Sequence, residues 1–475
     1  MPRLTLAAVG LLLIVSLALV SPAPVPADPA EPDLQVGFGE RDITPKVGDK
    51  AKVYLAGFGK DRKATGVHDP LMARAVVLRH GKTKIAVASV DLVGFFLPNV
   101  ENVRKKLDGF SYVLVTSTHN HEGPDTLGLW GPTALQSGVD PEYMKTVEEQ
   151  IAAAIKAADG SLKPATAKIG TEKAPELLHD AREPYIKHDE LVALEFRGKD
   201  DKLAGLVVQW NCHPETLESK NKEVSADFVG YTVKHLQDKY KCPVVYLTGT
   251  VGGLMTSMHL DLTSPDGKKL DAGSYEKTER YGVLLAEVAE RALKKSKPVT
   301  LTPLEARSRT LYLPVDNRLY QVARQIGVLK REAFLWKDDP YKAEPVKESD
   351  AGKRECIKTE VGLLRCGELE VALIPGEIYP ELVLDKVQDP PDPGADFPDA
   401  PIEPAIYKQL KGPHRMMVGL ANDEIGYIIP KRQWDEKPPY CYGRKSAQYG
   451  EINSVGPETA PILCRVFAEL VNKAR

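Results

Sequence analysis

Four stretches of the sequence end an apolar run on a side chain able to bind a metal or move a proton. The densest is Thr116-Ser117-Thr118-His119-Asn120-His121-Glu122-Gly123-Pro124. It follows the strand-like run Tyr112 to Val115. Residues two apart at a strand end point to one face, so His119 and His121 can converge on one point before Gly123-Pro124 turns the chain away. One imidazole could hold a metal while the other works on its water; the plainer alternative is a pair of ordinary polar histidines. A third imidazole, His213, stands in Gln209-Trp210-Asn211-Cys212-His213-Pro214, again between an apolar strand and a proline turn. Alternation sends the Cys212 thiol to the opposite face, so it need not share the metal. Ile374-Pro375-Gly376-Glu377 breaks another apolar run and sets Glu377 at the start of the helix expected next, and Asn422 to Tyr427 repeats that design, with Tyr427 following Gly426. Beside the imidazole left to work on the water, four strand ends thus deliver two imidazoles, a carboxylate and a phenol, a donor set that suits Zn2+ and leaves room for water.

Strand ends are where α/β folds usually carry their chemistry, and the surrounding pattern has that grammar. Leu34 to Pro45 reads as an extended segment and turn, and strands are expected at Ala75 to Leu78, Ile85 to Val90, Tyr112 to Ser117, Leu191 to Phe196, Ala204 to Trp210, Val244 to Leu247, Glu370 to Ile374 and Met416 to Leu420. Helices are expected over Asn99 to Leu107, from Pro141 after an Asp140 N-cap to Gly160, over Tyr275 to Lys295, over Leu319 to Trp336, and at the end of the chain near Lys473. Gln388 to Pro404, loaded with Pro and Asp, reads as a loop that either rims the site or is a solvated insertion. The expected fold class is α/β, with layered mixed β-sheets flanked by helices and the metal site at strand ends. No internal repeat or domain boundary divides residues 34–475.

With 475 residues, 43% hydrophobic and 27% charged, and a net charge of −3, the chain is ordinary globular material without an electrostatic footprint for nucleic acid. Its first residues carry an address: Arg3, the apolar run Leu4 to Val20, then Val25-Pro26-Ala27 resembling a cleavage site. A signal peptide over residues 1–27 and a Pro-rich linker over 28–33 are expected, and hence a secreted or periplasmic protein. The alternative is an uncleaved N-terminal membrane anchor, which leaves the folded part equally outside the cytoplasm. Six cysteines are scattered without a Cys-x-x-Cys pair, so a thiolate zinc site is not indicated, although an oxidising compartment would allow some to pair. A Gly-x-Ser-x-Gly elbow and a phosphate-binding loop are both absent from the sequence, which disfavours serine-hydrolase and nucleotide chemistry.

Several ordered motifs then make the reading specific. Val36-Gly37-Phe38-Gly39-Glu40-Arg41-Asp42-Ile43-Thr44, Ala56-Gly57-Phe58, Gly66-Val67-His68 through Ala73-Arg74-Ala75, Ser89-Val90-Asp91-Leu92 and Thr118-His119-Asn120-His121-Glu122-Gly123-Pro124 resemble, in order, blocks of the neutral, non-lysosomal ceramidase family. The resemblance spans nearly the whole length after the linker. It implies an α/β catalytic domain over residues 34–475 in which His119, His213, Glu377 and Tyr427 ligate zinc and His121 is the general base. It also implies that Arg182, in Ala181-Arg182-Glu183-Pro184-Tyr185, faces the reacting carbonyl, and that Tyr449, ahead of Gly456-Pro457, stabilises the oxyanion. The implied reaction is hydrolysis of a linear amide in ceramide or a related N-acyl lipid. A lipid substrate implies an apolar cleft beside the zinc and peripheral contact with a membrane.

Two departures bear on the substrate. Where relatives carry an Asn-x-Gly-Asp-x-Ser-Pro block, this chain reads Thr250-Val251-Gly252-Gly253-Leu254-Met255-Thr256, and a single large catalytic domain without the immunoglobulin-like C-terminal domain of well-understood family members is expected, since the sequence runs only a little past Gly456-Pro457. The alternatives are therefore a zinc hydrolase of another amide or ester, and a non-catalytic secreted binding protein with the same fold.

Overall fold

The computed structural model describes residues 34–48, 52–347, 350 and 352–472, together with Met1 and Pro2. Apart from those first two residues, the expected signal segment and linker lie outside the described residues. No helix among the described residues is long and apolar enough to cross a membrane.

Nine strands form a mixed sheet in the order Val244–Thr248, Leu203–Trp210, Glu190–Gly198, Lys163–Lys173, Gln35–Asp42, Met72–His80, Thr83–Val90 and Tyr112–Ser117, with Lys297–Val299 beside Lys163–Lys173. The outermost pair at each end is parallel. A second, six-stranded sheet is built on Glu355–Cys366, which pairs with Leu304–Pro314 along that strand's whole length and with Leu369–Leu373; the latter lies parallel to His414–Val418.

Period-2 alternation explains how the layers stack. Val76 and Leu78, Ile85 and Val87, Leu194 and Phe196, and Val245 and Leu247 meet Leu364, Leu369, Val371, Leu373, Met416 and Val418 of the second sheet in one core. The intervening Ala73, Ala75, Val77, Ala86, Ala88 and Val90 face the helix Pro141–Gly160, while Val208, Trp210 and Tyr246 face the helices Asp227–Tyr240 and Tyr275–Lys294. On the far side, Ile357, Val361, Leu363 and Met417 are covered by the helix Thr459–Asn472. The result is four layers, helix–sheet–sheet–helix, with sheets buried on both faces, which is why the strands read as near-continuous apolar runs. Gly37 and Gly39 let the helix Pro141–Gly160 sit directly on the sheet: an added Cβ would lie 2.0 Å from the Ala158 carbonyl oxygen or 2.4 Å from that of Ala154.

The layered α/β expectation holds, and the helix Pro141–Gly160 begins on an Asp140 side chain that accepts from the Glu142 and Tyr143 amides. Two local expectations are corrected. The helix expected over Leu319 to Trp336 covers only Arg318–Gln325, and Phe334–Trp336 is a strand. Gly327 at φ +78° stops it: its amide bonds the Arg324 carbonyl and the Val328 amide that of Ala323, a Schellman closure. Glu377 does not open a helix either; Glu377–Ile378 is a short strand parallel to Tyr427–Ile428, and the helix starts at Pro380. All six cysteines are free and buried.

Candidate metal centre

The two outer strand ends of the large sheet are drawn together by the turn that follows His414–Val418. The Gly419 amide donates to the Thr248 carbonyl at 3.0 Å, the Thr116 hydroxyl donates to the Gly419 carbonyl at 2.8 Å, and the Thr248 hydroxyl donates to the Thr118 carbonyl at 2.8 Å. His119, just beyond Tyr112–Ser117, and His213, just beyond Leu203–Trp210, are thereby brought to ring centroids 4.8 Å apart. The His119–His121 convergence expected from strand alternation is real, with rings 4.9 Å apart, but its cause is different. His119 has left the strand and adopts φ +68°, a strained conformation for a non-glycine residue of the kind that clusters at functional sites. The Leu92 carbonyl accepts from both the His119 and the Asn120 amide, and so holds the turn.

The tautomers of two imidazoles follow from their partners. Nδ1 of His119 lies 2.7 Å from the Val93 carbonyl oxygen, and Nδ1 of His213 lies 2.9 Å from that of Met255. A carbonyl only accepts, so both Nδ1 atoms carry the proton and each neutral ring presents an Nε2 lone pair. Those lone pairs meet one carboxylate oxygen: Oε2 of Glu377 is 3.2 Å from Nε2 of His119 and 3.0 Å from Nε2 of His213. Three electron-pair donors facing one another repel unless a proton or a cation lies among them. The two imidazole–carboxylate separations approach the roughly 3.3 Å edge of a tetrahedron with metal–ligand bonds of about 2.0–2.1 Å. The residues therefore fit a divalent metal. Without one a proton takes its place: although burial opposes charge on His119, Glu377 outweighs it and raises the imidazole to about 9, while His119 and His213 hold the Glu377 carboxyl well below its usual range against the effect of burial.

His121 completes a three-histidine cluster whose ligand atoms lie within 4.8 Å of one another, and this cluster could hold a metal. Its Nδ1 faces Oε2 of Glu215 at 3.2 Å without hydrogen-bond alignment. Burial outweighs that carboxylate and lowers His121 to about 4, while Glu215, despite its burial, is held to about 2 by His121 and His213. Phe58 packs edge-on against the His121 ring at 5.3 Å. The approach needs Gly57, at φ +88°, because a Cβ there would lie 2.2 Å from the ring. Arg62 reaches from the same turn to donate to the His121 carbonyl and to pair with buried Glu122 at 3.3 Å.

The other sequence-predicted residues lie to one side. Tyr427 is buried beside Glu377 as its register partner, and its ring stands 6.0 Å from both Tyr379 and Tyr449. Burial, then Glu377, raises its phenol well above the ordinary value. Tyr449 is 53% exposed, and its hydroxyl accepts from the Asn453 amide. Arg182 is buried with both terminal nitrogens engaged: they form a two-pronged pair with Glu451 at 2.7 and 2.8 Å and donate to the Tyr449 and Gln433 carbonyls at 2.9 and 3.0 Å. It braces the Tyr449 segment. The Thr250–Thr256 departure is likewise internal: the Thr250 hydroxyl pairs with Nδ1 of His188 at 2.9 Å, and Met255 supplies the carbonyl that orients His213. Within the Gln388 to Pro404 loop, Phe397 packs on the cluster containing Tyr427 and Trp434. Sequence reasoning missed Glu215, Arg62 and the two orienting carbonyls. Glu215 stands two residues after His213, which was the only signal.

Residues 34–266 match the family model of neutral/alkaline non-lysosomal ceramidase, N-terminal. The chain is 23% identical over 258 residues to a neutral ceramidase of Drosophila melanogaster, across 49% of this chain and little more than a third, 36%, of that protein's length. The fold matches the crystal structure of neutral ceramidase from Pseudomonas aeruginosa with a TM-score of 0.68 at 18% identity, covering 92% of this chain and 74% of that one. A ceramidase complexed with C2 matches equally, with a TM-score of 0.68 at 16% identity over 92% and 75% of the two chains.

Proposed function

We propose that this chain, which belongs to the neutral/alkaline non-lysosomal ceramidase family, is a zinc-dependent, extracytoplasmic hydrolase of a linear amide bond in ceramide or a related N-acyl lipid. The observation that carries the reading is the meeting of the His119 and His213 Nε2 lone pairs on Oε2 of Glu377. With Tyr427 as the fourth ligand, these residues would hold the zinc. Bound there, zinc would supply Lewis acidity, bringing a water's ionisation near pH 7 and polarising the amide carbonyl.

The remaining work falls to the protein. His121, with a low proton affinity and Glu215 beside Nδ1, is neutral at physiological pH and takes the proton from the attacking water, then passes it to the departing amine. Phe58 packs against the ring, and Glu215, facing Nδ1, stabilises the imidazolium while it exists. Tyr449 donates to the developing oxyanion. Arg182 acts through the Tyr449 backbone, which it holds at 2.9 Å, so here it is a positioning residue.

One observation favours keeping the substrate open within this class. Thr250 and Met255, in the block that departs from relatives, are committed to His188 and His213 and bring fewer polar groups to a headgroup. Turnover of matched amide and ester analogues of one N-acyl lipid, with and without chelator, tests the reading. Chelator-sensitive amide cleavage supports it, whereas ester cleavage alone replaces the bond assigned here.

A further inference from the structure

One stripe of the helix Pro141–Gly160 carries charge into a hollow of the fold. Pro141, Met144, Lys145 and Glu148 follow the i, i+3, i+4, i+7 spacing of a single helical face, and all four line a cavity of about 290 Å3. Apolar groups of Phe96, Leu127, Val139 and Val328 make up much of its remaining wall. The volume lies near the lower end of the ~300–1,000 Å3 usual for small-molecule sites, so the cavity suits a compact ligand. None of the residues that meet at the metal centre lines it.

Glu148 gives the cavity its character. The residue is only 8% exposed, yet among the described residues no cation lies within ion-pair distance of its carboxylate. Its Oε1 accepts from the side-chain amides of Asn99 and Asn102, both on the helix Leu97–Arg104, at 3.0 Å each. Oε2 accepts from no described group and is not sealed from solvent, so it opens on the cavity. A carboxylate buried this far is costly without a cation. Lys145 and Lys330 line the same cavity, are exposed, and make neither ion pair nor hydrogen bond with any described residue. Lys145 and Glu148 could close on one another as an i, i+3 pair; instead the two asparagines hold the carboxylate inward and Lys145 stays at the rim.

These groups specify a ligand. One open carboxylate oxygen builds no cage for a divalent ion, which gathers several oxygen ligands, but it suits an ammonium. Two free ammonium groups at the rim suit a carboxylate. Side chains three apart on a helix face have Cβ atoms about 5–6 Å apart, a gap that an ammonium and a carboxylate borne on one carbon can bridge. The apolar wall then takes the side chain of that carbon.

We infer that this cavity binds a free α-amino acid with an apolar side chain, its ammonium on Glu148 and its carboxylate between Lys145 and Lys330. The site is separate from the proposed amidase chemistry, and neither depends on the other.

Isothermal titration of the purified chain with L-phenylalanine tests this, beside three analogues that each lack one feature: phenethylamine the carboxylate, 3-phenylpropionate the ammonium, and glycine the apolar side chain. Saturable binding of one L-phenylalanine per chain is expected, with each analogue weaker by about tenfold or more, the effect of losing one charged hydrogen bond or the buried side chain. Glu148→Gln keeps an acceptor for Asn99 and Asn102, and Lys145→Glu changes an exposed position; each should weaken L-phenylalanine by about tenfold or more, with circular dichroism showing both variants folded. No binding of L-phenylalanine at millimolar concentration, as when Lys145 swings in to close on Glu148, overturns the inference. So does an analogue that binds as tightly as L-phenylalanine, or wild-type affinity in either variant.

Discussion

Glu377 and Tyr427 are register partners in a two-residue parallel ladder, so the carboxylate and the phenol are set side by side by backbone pairing between distant segments. The ladder does not depend on either side chain. Glu377→Ala is therefore expected to leave the fold intact and to abolish tight zinc binding, and Tyr427→Phe to keep the metal with affinity weakened by about 10- to 100-fold. Zinc titration with a competing chelator, beside circular dichroism, checks both. Wild-type affinity in Glu377→Ala would remove Glu377 from the ligand set.

His121 and Glu215 are expected to separate catalysis from metal binding. Loss of the base in His121→Ala should lower kcat/KM by about 100- to 10,000-fold with zinc content unchanged, and Glu215→Gln should lower it less. Because burial holds His121 down to about 4, the base stays unprotonated on descending from pH 7. The acid limb of the wild-type profile should accordingly lie near pH 4 rather than at the ordinary histidine value near 6.5. Metal lost together with activity in His121→Ala would instead make His121 a ligand.

Arg182→Ala leaves the Glu451 carboxylate buried without its two-pronged partner, which should cost roughly 3–5 kcal/mol of stability. A group that only faced a reacting carbonyl would show lost turnover at unchanged stability. Chemical denaturation of the variant distinguishes the two roles.

In the metal-free protein His119 is raised to about 9 against an ordinary value of 6.5. A raised folded-state value means that the stabilisation is complete below about pH 6.5 and is lost as pH climbs through about 9, when the His119 lone pair again faces Glu377. The melting temperature of chelator-treated protein should fall over that window, while zinc should restore it most at the alkaline end, where no proton competes for the site. A flat profile for the metal-free protein would contradict the donor geometry.

The donors were legible because each ends an apolar run at a glycine or proline turn. His119, His213, Glu377 and Tyr427 all announce themselves that way, and the structure brings the first three to one point and sets Tyr427 beside Glu377. Their supports were not legible: the Val93 and Met255 carbonyls belong to backbone that no side-chain pattern marks, and Arg62 reaches His121 across the fold. Lys163–Lys173 and Leu304–Pro314 escaped notice as strands because charged residues punctuate them and few of their side chains enter the core. The overlong helix from Leu319 arose from reading through Gly327, whose positive φ closes the helix.

The most direct test is zinc content measured with turnover of a fluorescent short-chain ceramide, comparing the wild type with His119→Ala and His213→Ala. About one zinc per chain with amide cleavage in the wild type, and loss of both in each variant, is the predicted result. A wild type that cleaves the amide with no metal bound, or variants that keep both zinc and activity, would contradict the account.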